Sequence, residues 1–178
     1  MNNSSGSPHK WLSAPDVAHL HIAEFATLKD TPEVIALAGR FGLMISLDPS
    51  WDDELIRRNS DCFEICAGID LLLPNVEEGK ALTGENTDEA ILRSLRERFS
   101  LAVLKRGEQG AMIHCESTCV PAEAIRVNVV DTTGAGDAFN AGFLHSWLDT
   151  SDLGKSLTAG IEAGGLSVQS AGAPPRAS

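Results

Sequence analysis

Short apolar runs alternate with segments of helical period along almost the whole chain, and this alternation restricts the fold more than any other feature. Residues 17–25 (VAHLHIAEF) alternate apolar and polar side chains as a strand does. Thr31-Pro32-Glu33 predicts a helix start, with Thr31 as N-cap and Pro32 at the first helical position. That helix runs through VIALAGRF and stops near Gly42. Residues 43–47 (LMISL) read as a buried strand and residues 53–67 as a helix. Residues 70–73 (DLLL) read as a strand broken by Pro74 and Asn75. VEEGKAL then makes a short helix closed by Gly84, and residues 87–99 a helix with a Thr cap and an acidic first turn. LAVL, AMIHC and AIRVNVV follow as strands, the last two as an antiparallel edge. Residues 138–148 and 152–169 predict two closing helices. Strands separated by helices imply a mostly parallel sheet covered on both faces. Ligands of such sheets bind at the carboxyl ends of the strands. The informative loops are therefore DPS, PNVEE, KRGEQG and DTTGAGDAF.

The bulk properties narrow the classes. At 178 residues, with 43% hydrophobic and 22% charged side chains, the chain suits one globular domain. Residues 1–16 are expected as a polar, disordered tail and residues 17–178 as the folded domain. No apolar run is long enough for a membrane span. The formal net charge of -11 repels a phosphate backbone, so nucleic acid is not an expected partner. An anionic nucleotide would have to be held by backbone amides, a helix N-terminus and a metal ion. Cys62, Cys66, Cys115 and Cys119 lack the tight spacing of a structural zinc site. They read as reduced thiols of a cytoplasmic protein. His19 and His21 share one strand face. Neither they nor His114 and His145 have metal-ligand spacing. Trp51 and Trp147 read as packing residues.

The string Asp131-Thr132-Thr133-Gly134-Ala135-Gly136-Asp137-Ala138-Phe139 carries the most chemistry. It follows the apolar VNVV and opens a helix. Small residues at 134–136 let backbone N–H groups crowd round an anion, and the helix N-terminus adds the positive end of its dipole. A carboxylate at Asp137 can take a proton from an attacking hydroxyl beside that anion. The spacing matches neither the P-loop nor the dinucleotide-binding turn. Taken alone, the string also reads as a tight helix entry capped by Asp137.

DTTGAGDAF resembles the C-terminal signature of PfkB-type carbohydrate kinases. Four further stretches agree in order. LDPSWDDEL resembles the family's Asp-Pro strand end, and LLLPNVEEGKALTGE its Asn-x-x-Glu segment. VLKRGEQGAMI resembles its nucleotide-side strand and turn, and LSVQSAGA its closing helix end. The resemblance spans roughly residues 17 to 174. It implies a ribokinase-like three-layer α/β/α sandwich with a mostly parallel sheet.

The same resemblance implies roles. Asp137 is the general base, and Gly134, Ala135 and Gly136 form the anion hole. Asn75 and Glu78 organise Mg2+ and phosphates, Glu78 through water. Lys105, Arg106 and Gly107 line the ATP phosphates and ribose. Asp131 and Thr133, with carbonyls near residues 170–172, hold a monovalent cation such as K+. The partners implied are ATP and a small sugar.

Two departures stand beside it. No stretch before residue 17 resembles the family's early strands, Gly-Gly substrate motif or lid, so the expected fold lacks them. Ile161 stands where many relatives carry an Asn near the base. Weak or absent sugar phosphorylation by this chain alone is therefore expected, the chain reading as a fragment, a truncated product or a subunit completed by another chain, with a homo-oligomer or a completing chain as the expected partner. Two readings remain. One is a sugar kinase, and the other is a non-catalytic nucleotide-binding or interaction module on the same fold.

Overall fold

Strand alternation sorts the side chains of a single six-stranded sheet onto two covered faces. The computed structural model describes residues 8–51, 62–115 and 118–171. The strands are β1 (His19–Ile22), β2 (Met44–Leu47), β3 (Leu71–Leu72), β4 (Leu101–Lys105), β5 (Ala111–Cys115) and β6 (Thr118–Ala122), in that spatial order. Pairing is parallel from β1 to β4 and antiparallel from β4 to β6. His21 lies opposite Ser46, and Ile22 opposite Leu47. The helices are α1 (Pro8–Leu12), α2 (Phe25–Asp30), α3 (Val34–Arg40), α4 (Cys62–Ile65), α5 (Val76–Thr83), α6 (Asp88–Arg96), α7 (Ala135–Thr150) and α8 (Leu153–Ser167).

Ile45, Leu47, Leu72, Ala102 and Leu104 point to one face, where they pack with Phe25, Leu28, Ala38, Ile91, Leu92 and Leu95. Leu71, Leu73, Val103 and Ile113 point to the other, against Phe139, Phe143, Leu144, Leu157 and Ile161. Helices α1 to α6 thus cover the first face and α7 with α8 the second. This is the expected three-layer α/β/α sandwich. Full burial of one such aliphatic or aromatic side chain contributes about 1.5–3 kcal/mol.

Helices α7 and α8 approach so closely that side chains larger than hydrogen do not fit between them. A Cβ on Gly142 would stand 2.5 Å from the Ala159 carbonyl oxygen, and one on Gly160 2.9 Å from the Phe139 ring. Asp152 caps α8 by accepting from the Lys155 N–H at 3.0 Å. This rigid pair fixes where the N-terminus of α7 points.

The structure departs from the sequence expectations at several places. Residues 8–12, expected in a disordered tail, form α1 and bury Leu12 in the first core; residues 1–7 lie outside the described residues. Phe25 leaves the strand expected over residues 17–25, because its burial in that core starts α2 instead. Thr31 closes α2 rather than capping α3, whose N-cap is Glu33. Most of the helix expected over residues 53–67 lies outside the described residues, and α4 is its visible end. AIRVNVV is irregular: β6 takes the edge position beside β5, and Val129 and Val130 stay exposed. Pro121 in β6 is tolerated because an edge strand needs no outward N–H bond.

Candidate functional site

Gly134 enters α7 with φ 78°, a left-handed conformation that favours glycine, and it offers no side-chain cap. The turn before it is locally bonded. Asp131 Oδ1 accepts from the Thr133 N–H at 2.9 Å, the Ala135 N–H donates to the Thr132 carbonyl at 3.2 Å, and the Ala138 N–H donates to the Gly134 carbonyl at 2.9 Å. Between these bonds, the N–H groups of Gly136 and Asp137 reach no acceptor among the described residues. Two unengaged amides therefore stand at the positive end of a 16-residue helix. Asp137 is exposed, so its carboxylate is not turned into the core.

Lys105, the last residue of β4, brings an ammonium to the same place. Its Nζ lies 3.5 Å from where a Gly136 Cβ would stand. Asp48, directly after β2, holds that ammonium. Its Oδ2 accepts from Lys105 Nζ at 2.5 Å and from Asn140 Nδ2 at 2.5 Å, while Oδ1 accepts from the Ser50 N–H at 3.1 Å. One carboxylate, only 6% exposed, thus ties two strand ends to helix α7. Asn140 is buried too, and its Oδ1 has no hydrogen-bond partner among the described residues.

Asn75 and Glu78 open α5 as a capping box. Asn75 Oδ1 accepts from the Glu78 N–H at 2.9 Å, and Glu78 Oε2 accepts from the Asn75 N–H at 2.8 Å. Asn75 also bridges to Lys105 in parallel. Glu78 is buried, and burial pushes its carboxyl above the usual carboxylate range. The Asn75 N–H bond opposes this shift; the neighbouring Asp48 adds to it and Lys105 opposes it again.

The structure therefore brings together Gly134, Ala135, Gly136, Asp137, Lys105, Asn75 and Glu78. Arg106 goes elsewhere: its Nε donates to Asp88 Oδ2 at 2.7 Å, and a terminal nitrogen donates to Gln109 Oε1 at 3.1 Å. Gly107 starts the 3₁₀ turn Gly107–Gln109 with φ 58° and open space where a side chain would stand. Asp131 and Thr133 share their turn, and residue 172 of the expected carbonyl group lies outside the described residues. Ile161 is buried in the second core, so packing accounts for its apolar character. Trp147 packs against that core, whereas Trp51 is half exposed. Among the described residues, no three His, Cys, Asp or Glu side chains are grouped to hold a metal, and no helix is long and apolar enough to cross a membrane.

Sequence reasoning missed the parts played by Asp48 and Asn140. Both carried a signal. Asp48 ends a buried strand at the carboxyl edge of a parallel sheet, where charge is costly without a purpose. Asn140 follows Asp137 by three residues, so the two share a helix face.

The three-layer sandwich, the glycine-lined helix start and the flanking carboxylate define an α/β protein with a site whose chemistry suits an anion. The pfkB family carbohydrate kinase model matches residues 2–176. The chain belongs to that family. It is 34% identical over 170 residues to the 2-dehydro-3-deoxygluconokinase of Bacillus subtilis, covering 86% of this chain and 51% of the relative. It is 32% identical over 158 residues to the ATP-dependent ribose-1-phosphate kinase of Halopiger xanaduensis, covering 87% and 50%. An E. coli protein described as a ribokinase II, solved in complex with ATP and Mg2+, superposes with a TM-score of 0.79 at 25% identity, over 92% of this chain and 56% of that one. The chain spans about half the length of the curated relatives it matches.

Proposed function

We propose that this chain transfers a phosphoryl group from ATP to a hydroxyl of a small sugar, in the cytoplasm and with Mg2+. The observation that carries the reading is the exposed carboxylate of Asp137 beside two unengaged backbone amides and the Lys105 ammonium. Amides at a helix N-terminus and a nearby cation form a donor set for an anionic phosphoryl group, so the residues fit the nucleotide's phosphates. The amides and Lys105 orient that group and stabilise the charge that spreads over its oxygens. Asp137 takes the proton of the attacking hydroxyl. Asn75 and Glu78 are the residues that would hold Mg2+, which when bound would supply charge neutralisation at the phosphates. A divalent cation there would also relieve the buried Glu78 carboxyl, which desolvation disfavours in its charged form.

On the same reading, Gly107 gives the nucleotide a close backbone approach, and the Asp131–Thr133 turn holds a monovalent cation, K+. Arg106 serves the nucleotide only if it leaves Asp88. Strand β1 pairs on one side only among the described residues, an open edge that a second copy or another chain would cover.

The test is ADP release by the purified chain with Mg2+–ATP and a panel of D-ribose, 2-deoxyribose, fructose and 2-dehydro-3-deoxygluconate, alongside calorimetry with Mg2+–ATP. Asp137→Asn is expected to lower turnover by about 10²–10⁴-fold while nucleotide binding persists. Turnover that survives Asp137→Asn overturns the assignment. Nucleotide binding with no turnover across the panel supports the non-catalytic module instead.

A further inference from the structure

His19 and His21 meet on one hydroxyl. His19 Nε2 and His21 Nδ1 each lie 2.8 Å from Ser46 Oγ, and Ser46 is fully buried. A hydroxyl has one proton to give, so the three groups must share protons in a definite order. Among the described residues, the buried His19 Nδ1 has no partner. If His19 carried its proton there, an N–H would be stranded in the interior. If both rings donated to Ser46, the hydroxyl proton would be stranded. Buried donors without acceptors are the rarer defect. The remaining order has His19 Nε2–H donating to Ser46 and Ser46 O–H donating to His21 Nδ1. His21 then carries its own proton on Nε2, the ring nitrogen outside the chain. Burial, the largest influence on both rings, lowers their proton affinity and keeps them neutral.

The direction of that outer N–H follows from helix α7. Asp137, Asn140, Leu144 and Trp147 recur on one face of it. Trp147 meets the His19 ring edge-on at 6.2 Å, and Asn140 meets Asp48 at 2.5 Å. His21 is two residues beyond His19 and opposite Ser46, two residues before Asp48, so it lies between those contacts under the same helix face. The charged groups that act on it are Asp48, Lys105 and Asp137. It is only half-buried. A neutral donor thus stands within electrostatic reach of Asp137, under the helix face that carries it.

Resting on the kinase reading above, we propose that His21 is an acceptor-binding residue whose Nε2–H donates to an oxygen of a polyol or hydroxy-acid substrate adjacent to the hydroxyl that Asp137 deprotonates. Ser46 and His19 are positioning residues that fix the ring and its tautomer.

Two substitutions separate the two ring nitrogens. His21→Asn keeps a group near Nδ1 for Ser46 and removes the outer donor. His21→Gln restores a donor near Nε2. With D-ribose and 2-dehydro-3-deoxygluconate as acceptors, His21→Asn is expected to raise the acceptor KM roughly tenfold, with the ATP KM unchanged and His21→Gln recovering part of the loss. Nitrogen-15 NMR of the imidazoles is expected to show His21 protonated on Nε2 and shifting on addition of either sugar. An unchanged acceptor KM overturns the proposal, as does an equal rise in both KM values, which marks a structural role. A His21 proton on Nδ1 overturns it without touching the kinase reading. No turnover by the unaltered chain with any sugar of the panel overturns the kinase reading and this inference together.

Discussion

Asp48→Asn isolates the carboxylate that joins β2, β4 and α7. The side chain keeps its shape but loses its charge. Lys105, whose side chain is 12% exposed, then keeps its ammonium without a counter-ion. The new amide can turn its oxygen toward Lys105 and Asn140 or toward the Ser50 N–H, and either choice places an NH2 against another donor. Removing one partner of a buried pair typically costs about 3–5 kcal/mol. The partial exposure of Lys105 puts the expectation at the lower end, about 3 kcal/mol. Urea unfolding of the wild type, Asp48→Asn, Lys105→Met and the double variant measures this as a cycle. The double variant is expected to recover at least about 1 kcal/mol over the sum of the single losses, since neither leaves an orphaned charge in it. Saturating Mg2+–ATP is expected to stabilise Asp48→Asn more than the wild type, because phosphate supplies the missing negative charge. A loss below about 1 kcal/mol for Asp48→Asn, or strict additivity in the cycle, would refute the buried-pair reasoning.

Three further outcomes follow from packing and protonation. Gly160→Ala drives a methyl to within 2.9–3.1 Å of the Phe139 ring, and unfolding assays are expected to show about 1–3 kcal/mol of destabilisation. Burial, with the neighbouring Cys62 adding to it, pushes the Cys66 thiol up to about 12, so at pH 8 it is expected to resist a thiol-labelling reagent until the chain is unfolded; prompt native-state labelling contradicts this. His19 and His21 titrate below their usual value in the folded chain, so the unfolded chain binds protons first as pH falls. Their contribution is complete above about pH 6.5 and is lost below it. Glu78 acts oppositely, since its penalty fades as its carboxyl takes up a proton. The loss of Tm between pH 7 and 5.5 is therefore expected to shrink in a His19→Gln, His21→Gln variant, and an unchanged loss contradicts the assignment.

The parallel sheet and its two covers were legible because each strand run is bounded by a helical segment with its own stop signal, such as Gly84 closing α5. The tight entry into α7 was legible for the same reason: Gly134 and Gly136 mark close backbone approach whatever surrounds them. Local reading failed where tertiary packing decides. Phe25 sits in an alternating run, yet the core captures it and ends the strand. AIRVNVV has strand composition, but the nearer TCVPA pairs with β5 first. The partners of Asp48 lie 57 and 92 residues away, beyond any local pattern. His19 and His21 were visibly on one face, but Ser46 makes that pair meaningful only once β1 and β2 are in register.

The placement of Lys105 and Asp48 has a physical logic that composition does not reveal. The N-terminus of a helix is electropositive, so a cation set against the start of α7 is unfavourable, and largely burying that cation adds a desolvation cost. A carboxylate at Asp48 offsets both and makes the arrangement tolerable in the absence of an anion. A buried ion pair rarely stabilises a fold more than apolar side chains of the same volume would. Its placement between two strand ends therefore points to the cation itself. Held by Asp48, which Asn140 fixes in turn, the Lys105 ammonium is already oriented beside two amides that reach no acceptor among the described residues. On the kinase reading, an arriving phosphoryl group would meet a positive site whose assembly cost was met during folding, and such preorganisation makes these groups worth more in a protein than in water.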